Sequence, residues 1–274
     1  MPAIYKIKSR FYFDFAFSDY IDPNKKTGSQ ETTPKEIEIS GEIFHHLAIV
    51  LRAKTEEYIS LFNEKHGEFL CRIVKITKSN LVLHILKKLN SYQKPLFNLH
   101  LAYAPLKKEA NDFVLEKSTE LGINEITPII TNYTVNNTQP VEKLQQKVKS
   151  AVQQCGRLDL PLIHPAKSLE IFLTYLINLA DNQNTEYLPH IFWLNEKKNG
   201  IDFYQFLRQK LLVQTKIKDA IFIVGPEGGF SYKEQEILSS LKIISSVYLQ
   251  GNILKSETAC LAAIINYQAL TCIL

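Results

Sequence analysis

The chain has 274 residues, 45% of them apolar and 22% charged, with 32 Lys and Arg against 28 Asp and Glu for a net charge of +4. That apolar content supports a packed core and excludes an intrinsically disordered chain, while 10 Gly and 11 Pro are too few for a fibrous or low-complexity protein. The charge is unevenly placed: residues 1–94 hold 15 Lys/Arg and 11 Asp/Glu, residues 95–274 hold 17 of each, which points to two units with different partners, the first suited to a polyanion.

Length favours one large domain or two smaller ones. The opening Met1-Pro2-Ala3-Ile4-Tyr5-Lys6-Ile7-Lys8 is charged and lacks the apolar segment of a signal peptide, so a cytoplasmic location is expected. Phe11, Phe13, Phe15 and Phe17 alternate with other residues and predict a strand, and the polar stretch from Asp22 to Pro34 predicts a loop. Short β-rich runs follow at Glu36–Ser40, Tyr58–Phe62, Gly67–Ile76 and Leu81–Leu86, interrupted by a short helix over Glu42–Leu51. Short strands at this spacing predict a small β-barrel over residues 1–88, with a linker at Asn90–Pro95.

The rhythm then changes. Phe97–Ala104 reads as a strand, Lys108–Leu121 as a helix and Ile126–Thr131 as a strand. Helices are predicted at 141–155 and 168–180, a strand at 190–194, a helix at 202–214 and a strand at 220–224. A helix at 232–241, a strand at 245–249 and a last helix at 257–272 complete an α/β domain over residues 95–274 with a largely parallel sheet. In such sheets ligands bind at the carboxyl ends of the strands. No apolar run reaches the roughly 18–20 residues of a membrane span, so no membrane partner is expected. Cys71, Cys155, Cys260 and Cys272 form no Cys-x-x-Cys pair and read as buried free thiols in a reducing compartment. The seven His show no metal-ligand spacing, and His45 and His46, being adjacent, would point in different directions, so no metal is expected.

Three segments stand where chemistry belongs. The strand Ile221–Val224 runs into Gly225-Pro226-Glu227-Gly228-Gly229-Phe230, then Ser231 with Glu234 three residues on, a capping box that opens a helix. Adjacent glycines after a strand let a ligand approach the backbone, although the same pattern also serves as a plain strand–helix turn. Neither a Walker loop nor GxGxxG is present, so a nucleotide phosphate is not indicated. Leu249-Gln250-Gly251-Asn252-Ile253-Leu254-Lys255-Ser256 is a second strand end and glycine loop, with Ser256 as N-cap of the last helix. Gln154-Cys155-Gly156-Arg157 ends a helix, where the glycine reads as a C-cap and the arginine as either functional or solvated.

Together these segments resemble the RsmE family of SPOUT-superfamily ribosomal RNA methyltransferases. Gly225-Pro226-Glu227-Gly228-Gly229 and Ile253-Leu254-Lys255-Ser256-Glu257-Thr258-Ala259 resemble its cofactor-loop pair. Lys117-Ser118-Thr119-Glu120-Leu121-Gly122 and Gln154-Cys155-Gly156-Arg157 resemble two further elements, and Arg10-Phe11-Tyr12 and His46 with Val50-Leu51-Arg52 resemble the N-terminal ones. All stand in the family's order at matching separations, over nearly the whole chain.

The resemblance implies an N-terminal PUA-like β-barrel that binds RNA and a C-terminal α/β SPOUT domain whose trefoil knot holds S-adenosylmethionine. It also implies a homodimer that methylates N3 of a uridine in small-subunit (16S) rRNA, as free RNA or as the assembled 30S subunit. Carried over, Leu194, Gly225, Glu227, Gly228, Gly229, Leu249, Gly251, Ile253, Leu254, Ser256, Thr258 and Ala259 would line the cofactor. Glu227 has a second reading, as a carboxylate that ties loops together by accepting backbone N–H bonds. Catalysis would rest on positioning and on a cation beside the developing uridine anion, with Arg157 first and Lys255 second, and on a splayed-out uridine. Arg10 and Arg52 would hold phosphates, and for each the other reading is a solvated surface charge. The chain departs from the family's pattern at Asn252 and Lys255, which stand for arginines, at Gln250-Gly251, and at Tyr133, which stands for another arginine. Those changes bear on RNA or transition-state contacts more than on the cofactor pocket. The alternatives are a non-catalytic rRNA-binding or assembly protein on the same fold, and a SPOUT enzyme acting on another RNA.

Overall fold

The computed structural model describes residues 5–14, 36–135, 140–182, 188–197, 200–213, 219–249 and 251–271. Phe15, Phe17, the polar stretch 22–34, Gln250 and Cys272 lie outside them. The chain divides into two compact units, residues 1–94 with 152–159, and residues 95–151 with 160–274.

The first unit begins with strand β1 (Ile7–Tyr12) and β2 (Glu36–Ile39). Helix α1 (Gly41–His45) continues into a π-helical turn, His46–Val50, and strands β3 (Tyr58–Asn63), β4 (Gly67–Ile76) and β5 (Leu81–Asn90) follow. The strands form one sheet in the order β1-β3-β4-β5-β2, with β1 parallel to β3 and the other pairs antiparallel. Alternation explains β2: Ile37 and Ile39 are buried while Glu36 and Glu38 face solvent. The apolar side joins Phe11, Leu47, Ile59, Leu61, Ile73 and Leu83 in one core. The β3–β4 hairpin turns at Gly67, whose φ of +91° and whose close approach to the Asn90 carbonyl admit only glycine.

A charged network lies inside this unit. Glu68, 5% exposed, accepts hydrogen bonds from Arg10 Nε at 2.7 Å, Ser60 Oγ at 2.7 Å and Asn90 Nδ2 at 2.8 Å. Burial pushes the Glu68 pKa up, but the bonds from Arg10, Ser60 and Asn90 outweigh it and hold the carboxyl below its ordinary range. The other guanidinium nitrogens of Arg10 donate to the carbonyls of Val152, Gln153, Gly156 and Arg157 at 3.1–3.4 Å. These bonds fasten residues 152–159 to the first unit.

The second unit contains strands β6 (Leu99–Tyr103), β7 (Glu125–Ile130), β8 (Leu162–Ile163), β9 (Lys167–Ser168), β10 (His190–Leu194), β11 (Ile201–Asp202), β12 (Ala220–Val224) and β13 (Ile244–Tyr248). Its helices are α2 (Lys108–Glu120), α3 (Val141–Cys155, whose last turn groups with the first unit), α4 (Leu169–Asn182), α5 (Phe203–Val213), α6 (Tyr232–Ser240) and α7 (Ser256–Thr271). The sheet runs β11-β13-β10-β12-β6-β7-β8, with β9 paired to β7, and every pair is parallel. Central β6 and β12 are buried at every position, as parallel strands covered on both faces must be. The two-residue strands β8, β9 and β11 escape sequence prediction because a run that short has no period to detect.

Cys71 and Cys260 are buried free thiols, and burial pushes the Cys71 pKa up to about 12. Cys155, also free and expected to be buried, is only half-buried, because it ends α3 where the chain turns outward. Among the described residues no helix is long and apolar enough to cross a membrane.

Arg10→Ala leaves Glu68 buried without its cation and is expected to destabilise the protein by about 3–5 kcal/mol, read from chemical denaturation. Because the Glu68 pKa is depressed, its contribution is complete above the unfolded value of about 4.3 and is lost as pH falls through the lower folded value. The acid limb of the stability profile is expected to be shallower in Glu68→Gln than in the unsubstituted protein.

Candidate functional site

Strand β10 lies between β12 and β13, with Trp193 in register with Ile223 on one side and Leu194 with Val247 on the other. All three run the same way, so the loops that leave their carboxyl ends meet at one edge of the sheet. They enclose a cleft with about 710 Å³ of atom-free space, open solvent included.

Each loop has a local reason for its shape. After β12, Gly229 adopts φ +69° and its N–H returns to the Pro226 carbonyl at 2.9 Å, closing a tight turn. Gly225 sits against the Phe230 ring, which a Cβ there would meet at 2.8 Å. The predicted capping box is present: Ser231 N–H donates to Glu234 Oε2 at 2.7 Å, and Glu234 N–H donates to Ser231 Oγ at 3.4 Å. The other Glu234 oxygen accepts from Asn132 N–H at 2.8 Å and so ties the loop after β7 to α6. The loop-tying carboxylate is thus Glu234; Glu227 is exposed. After β10, Asn195 N–H donates to the Val247 carbonyl at 2.8 Å, and Asn195 Oδ1 accepts from Lys197 N–H at 3.0 Å.

Of the residues expected to line a cofactor, Leu194, Gly225, Gly229, Leu249, Ile253, Leu254, Ser256 and Ala259 line this cleft. Glu227, Gly228, Gly251 and Thr258 stand on the same segments but outside its lining, and all four are exposed. Gly228 instead packs beside Tyr133, the position that departs from the family's arginine. Sequence reasoning missed Trp193, Asn195, Glu196, Lys197, Phe230 and Gln235 in the wall. The loop after β10 carries a single isolated glycine, Gly200, that forms no motif, and the rule that ligands sit at carboxyl ends of parallel strands is what marks it.

The four cations expected to act on RNA have different surroundings. Arg10 turns inward to Glu68 and to backbone carbonyls, with its side chain 19% exposed. Arg157 is also largely buried and donates from Nε and one terminal nitrogen to the Asp159 carboxylate at 3.2 and 2.7 Å. Arg52 is exposed and held at φ +46°, a left-handed conformation that non-glycine residues rarely adopt. Lys255 is exposed between Leu254 and Ser256.

The donor set of the cleft suits S-adenosylmethionine. Leucine and isoleucine side chains can cover a flat base, glycine-loop backbone can meet its polar edge, and the Glu196 carboxylate at the rim complements a cation. No lysine or arginine cradle for a phosphate is built into the lining, where Lys197 donates to Gln235 Oε1 at 2.8 Å.

Residues 92–268 match the family model of an RNA methyltransferase domain, and residues 39–86 match that of an RNA methyltransferase PUA domain. Fold and cleft together therefore define a two-domain protein of the RNA methyltransferase class, with a PUA-like domain first and an α/β methyltransferase domain second. The chain is 33% identical over 227 residues, 82% of its length and 86% of the relative's, to ribosomal RNA small subunit methyltransferase E of Rickettsia conorii. It is 30% identical, over 85% of its length and 89% of the relative's, to the protein of that name from Buchnera aphidicola subsp. Schizaphis graminum. A solved ribosomal RNA small subunit methyltransferase E from Neisseria gonorrhoeae, bound to S-adenosyl methionine, superposes with a TM-score of 0.72 at 25% identity, covering 96% of this chain and 97% of that one. A methyltransferase from Legionella pneumophila with bound SAM gives 0.73 at 25% identity, covering 95% and 97%. The chain belongs to the ribosomal RNA small subunit methyltransferase E family.

Gly225→Ala drives a methyl group into the buried Phe230 ring and is expected to destabilise the second unit by about 1–3 kcal/mol, measured as a lowered unfolding midpoint.

Proposed function

We propose that the protein transfers a methyl group from S-adenosylmethionine to N3 of a uridine in small-subunit ribosomal RNA. The observation that carries this reading is the cleft itself. Two of its three loops bear the family's motifs, in a chain 33% identical to a small-subunit rRNA methyltransferase over 82% of its length.

Bound S-adenosylmethionine supplies an electrophilic methyl group on a sulfonium. Leu194, Leu249, Ile253 and Leu254 would hold its adenine by apolar contact, with backbone groups of Gly225 and Gly229 at the polar edge and Glu196 offsetting its positive charge. Uridine N3–H is weakly acidic, and its loss leaves an anion that a fixed cation stabilises. Lys255 is exposed and has no ion-pair partner among the described residues, whereas Arg157 is committed to Asp159. Lys255 therefore takes first place as the stabilising cation and Arg157 second, the reverse of the order expected from sequence. Arg52, displayed on the first unit, remains a phosphate contact, sequence-independent and sensitive to salt.

The same reading includes closure of the PUA-like sheet into a barrel, a trefoil knot in the second unit, a homodimer and a cytoplasmic location.

The direct test is methyl incorporation from labelled S-adenosylmethionine into small subunits, or naked 16S rRNA, lacking the modification, with the nucleotide mapped. Folded protein that transfers no methyl to either would overturn the reading. Trp193, the chain's one tryptophan, stands in the cleft wall, so cofactor binding is expected to change its fluorescence. Lys255→Met is expected to lower kcat by about 10²-fold while leaving cofactor affinity within a few-fold, measured by turnover and by Trp193 titration.

A further inference from the structure

Three residues that sequence spacing leaves far apart meet at the sheet edge opposite the cleft. His100 is near the start of β6, Glu125 opens β7 in register with it, and His164 follows β8, its N–H bonded to the Ile126 carbonyl at 2.9 Å. One ligand atom from each lies within 4.8 Å of the other two. His164 Nε2 is 2.7 Å from a Glu125 oxygen, and the two imidazole rings stand 5.5 Å apart at 33°.

We propose that His100, Glu125 and His164 form a binding site for a divalent transition metal of the zinc type, a structural clip across β6, β7 and the β8 segment. Two imidazoles and one carboxylate are a common zinc donor set, with water completing the fourth position. Metal binding requires neutral imidazole and ionised carboxylate. The surrounding shell is in place as well. Thr127 Oγ1 lies 2.8 Å from His100 Nε2 and fixes the ring, and Phe172 packs edge-on against it. His100 is 7% exposed, while the His164 and Glu125 side chains are 26% and 37% exposed, which leaves a path for an ion. Small side-chain movements bring three donors to roughly 2 Å from a common centre.

The test is titration of the metal-free full-length protein with Zn²⁺ against a chromophoric chelator, with the unfolding midpoint read in parallel. One equivalent is expected to bind and to raise the midpoint. His164→Asn and Glu125→Gln are each expected to weaken binding by at least about tenfold, in line with the loss of one ligand. A double substitution of the exposed pair, His45→Asn with His46→Asn, is expected to leave binding unchanged. Binding that survives both His164→Asn and Glu125→Gln, or that disappears with His45 and His46, overturns the proposal. Should either ligand variant fail to fold, Co²⁺ loading of the unsubstituted protein decides: the visible band of four-coordinate cobalt is expected, and its absence overturns the site. None of these readouts depends on methyl transfer.

Discussion

The placement of β10 between β12 and β13, with all three strands parallel, is the constraint on which the cleft depends. Parallel strands send every outgoing loop to the same edge, so three segments far apart in sequence converge there without any contact of their own to draw them together. The same arrangement buries the central strands on both faces. Phe192, Phe203, Phe222 and Tyr267 pack ring against ring between the sheet and its helices. Ligand-binding groups are thereby set on short loops leaving a stiff sheet, which limits how far each can wander.

In the first unit the comparable element is the buried Arg10–Glu68 pair. Three donors converge on Glu68, and the fork of Arg10 reaches both the carboxylate and the carbonyls that end α3, where a cation also meets the negative end of the helix. An arginine in this position resembles a nucleic-acid contact when only its neighbours in sequence are considered. Its partners in the fold are the Glu68 carboxylate and the carbonyls that end α3, whereas Arg52 is exposed.

Much of the site was legible beforehand for a physical reason. Gly225-Pro226-Glu227-Gly228-Gly229 follows an all-buried strand and precedes a capping box, and those local requirements allow one geometry, which the structure contains. Leu194, Leu249, Ile253 and Leu254 entered through family resemblance and converge on the cleft. Trp193, Asn195 and Glu196 did not: the loop after β10 carries one glycine, Gly200, and what requires it is the Ser246 carbonyl that the fold brings against it. Arg10 illustrates the converse: its charge is visible in sequence, but its pairing with Glu68, 58 residues on, depends on what the fold brings beside it.

The amino-acid sequence by itself determined the alternation of strands and helices, the glycine turn after β12 and the capping box at Ser231, since each follows from backbone preferences over a few neighbouring residues. Tertiary structure alone decided the order of strands in the sheet, and with it which loops face one another. It also decided which cations are neutralised and that His100, Glu125 and His164 share one corner. The strand order and the His100–Glu125–His164 corner rest on pairings across 25 to more than 100 residues, which no local preference encodes.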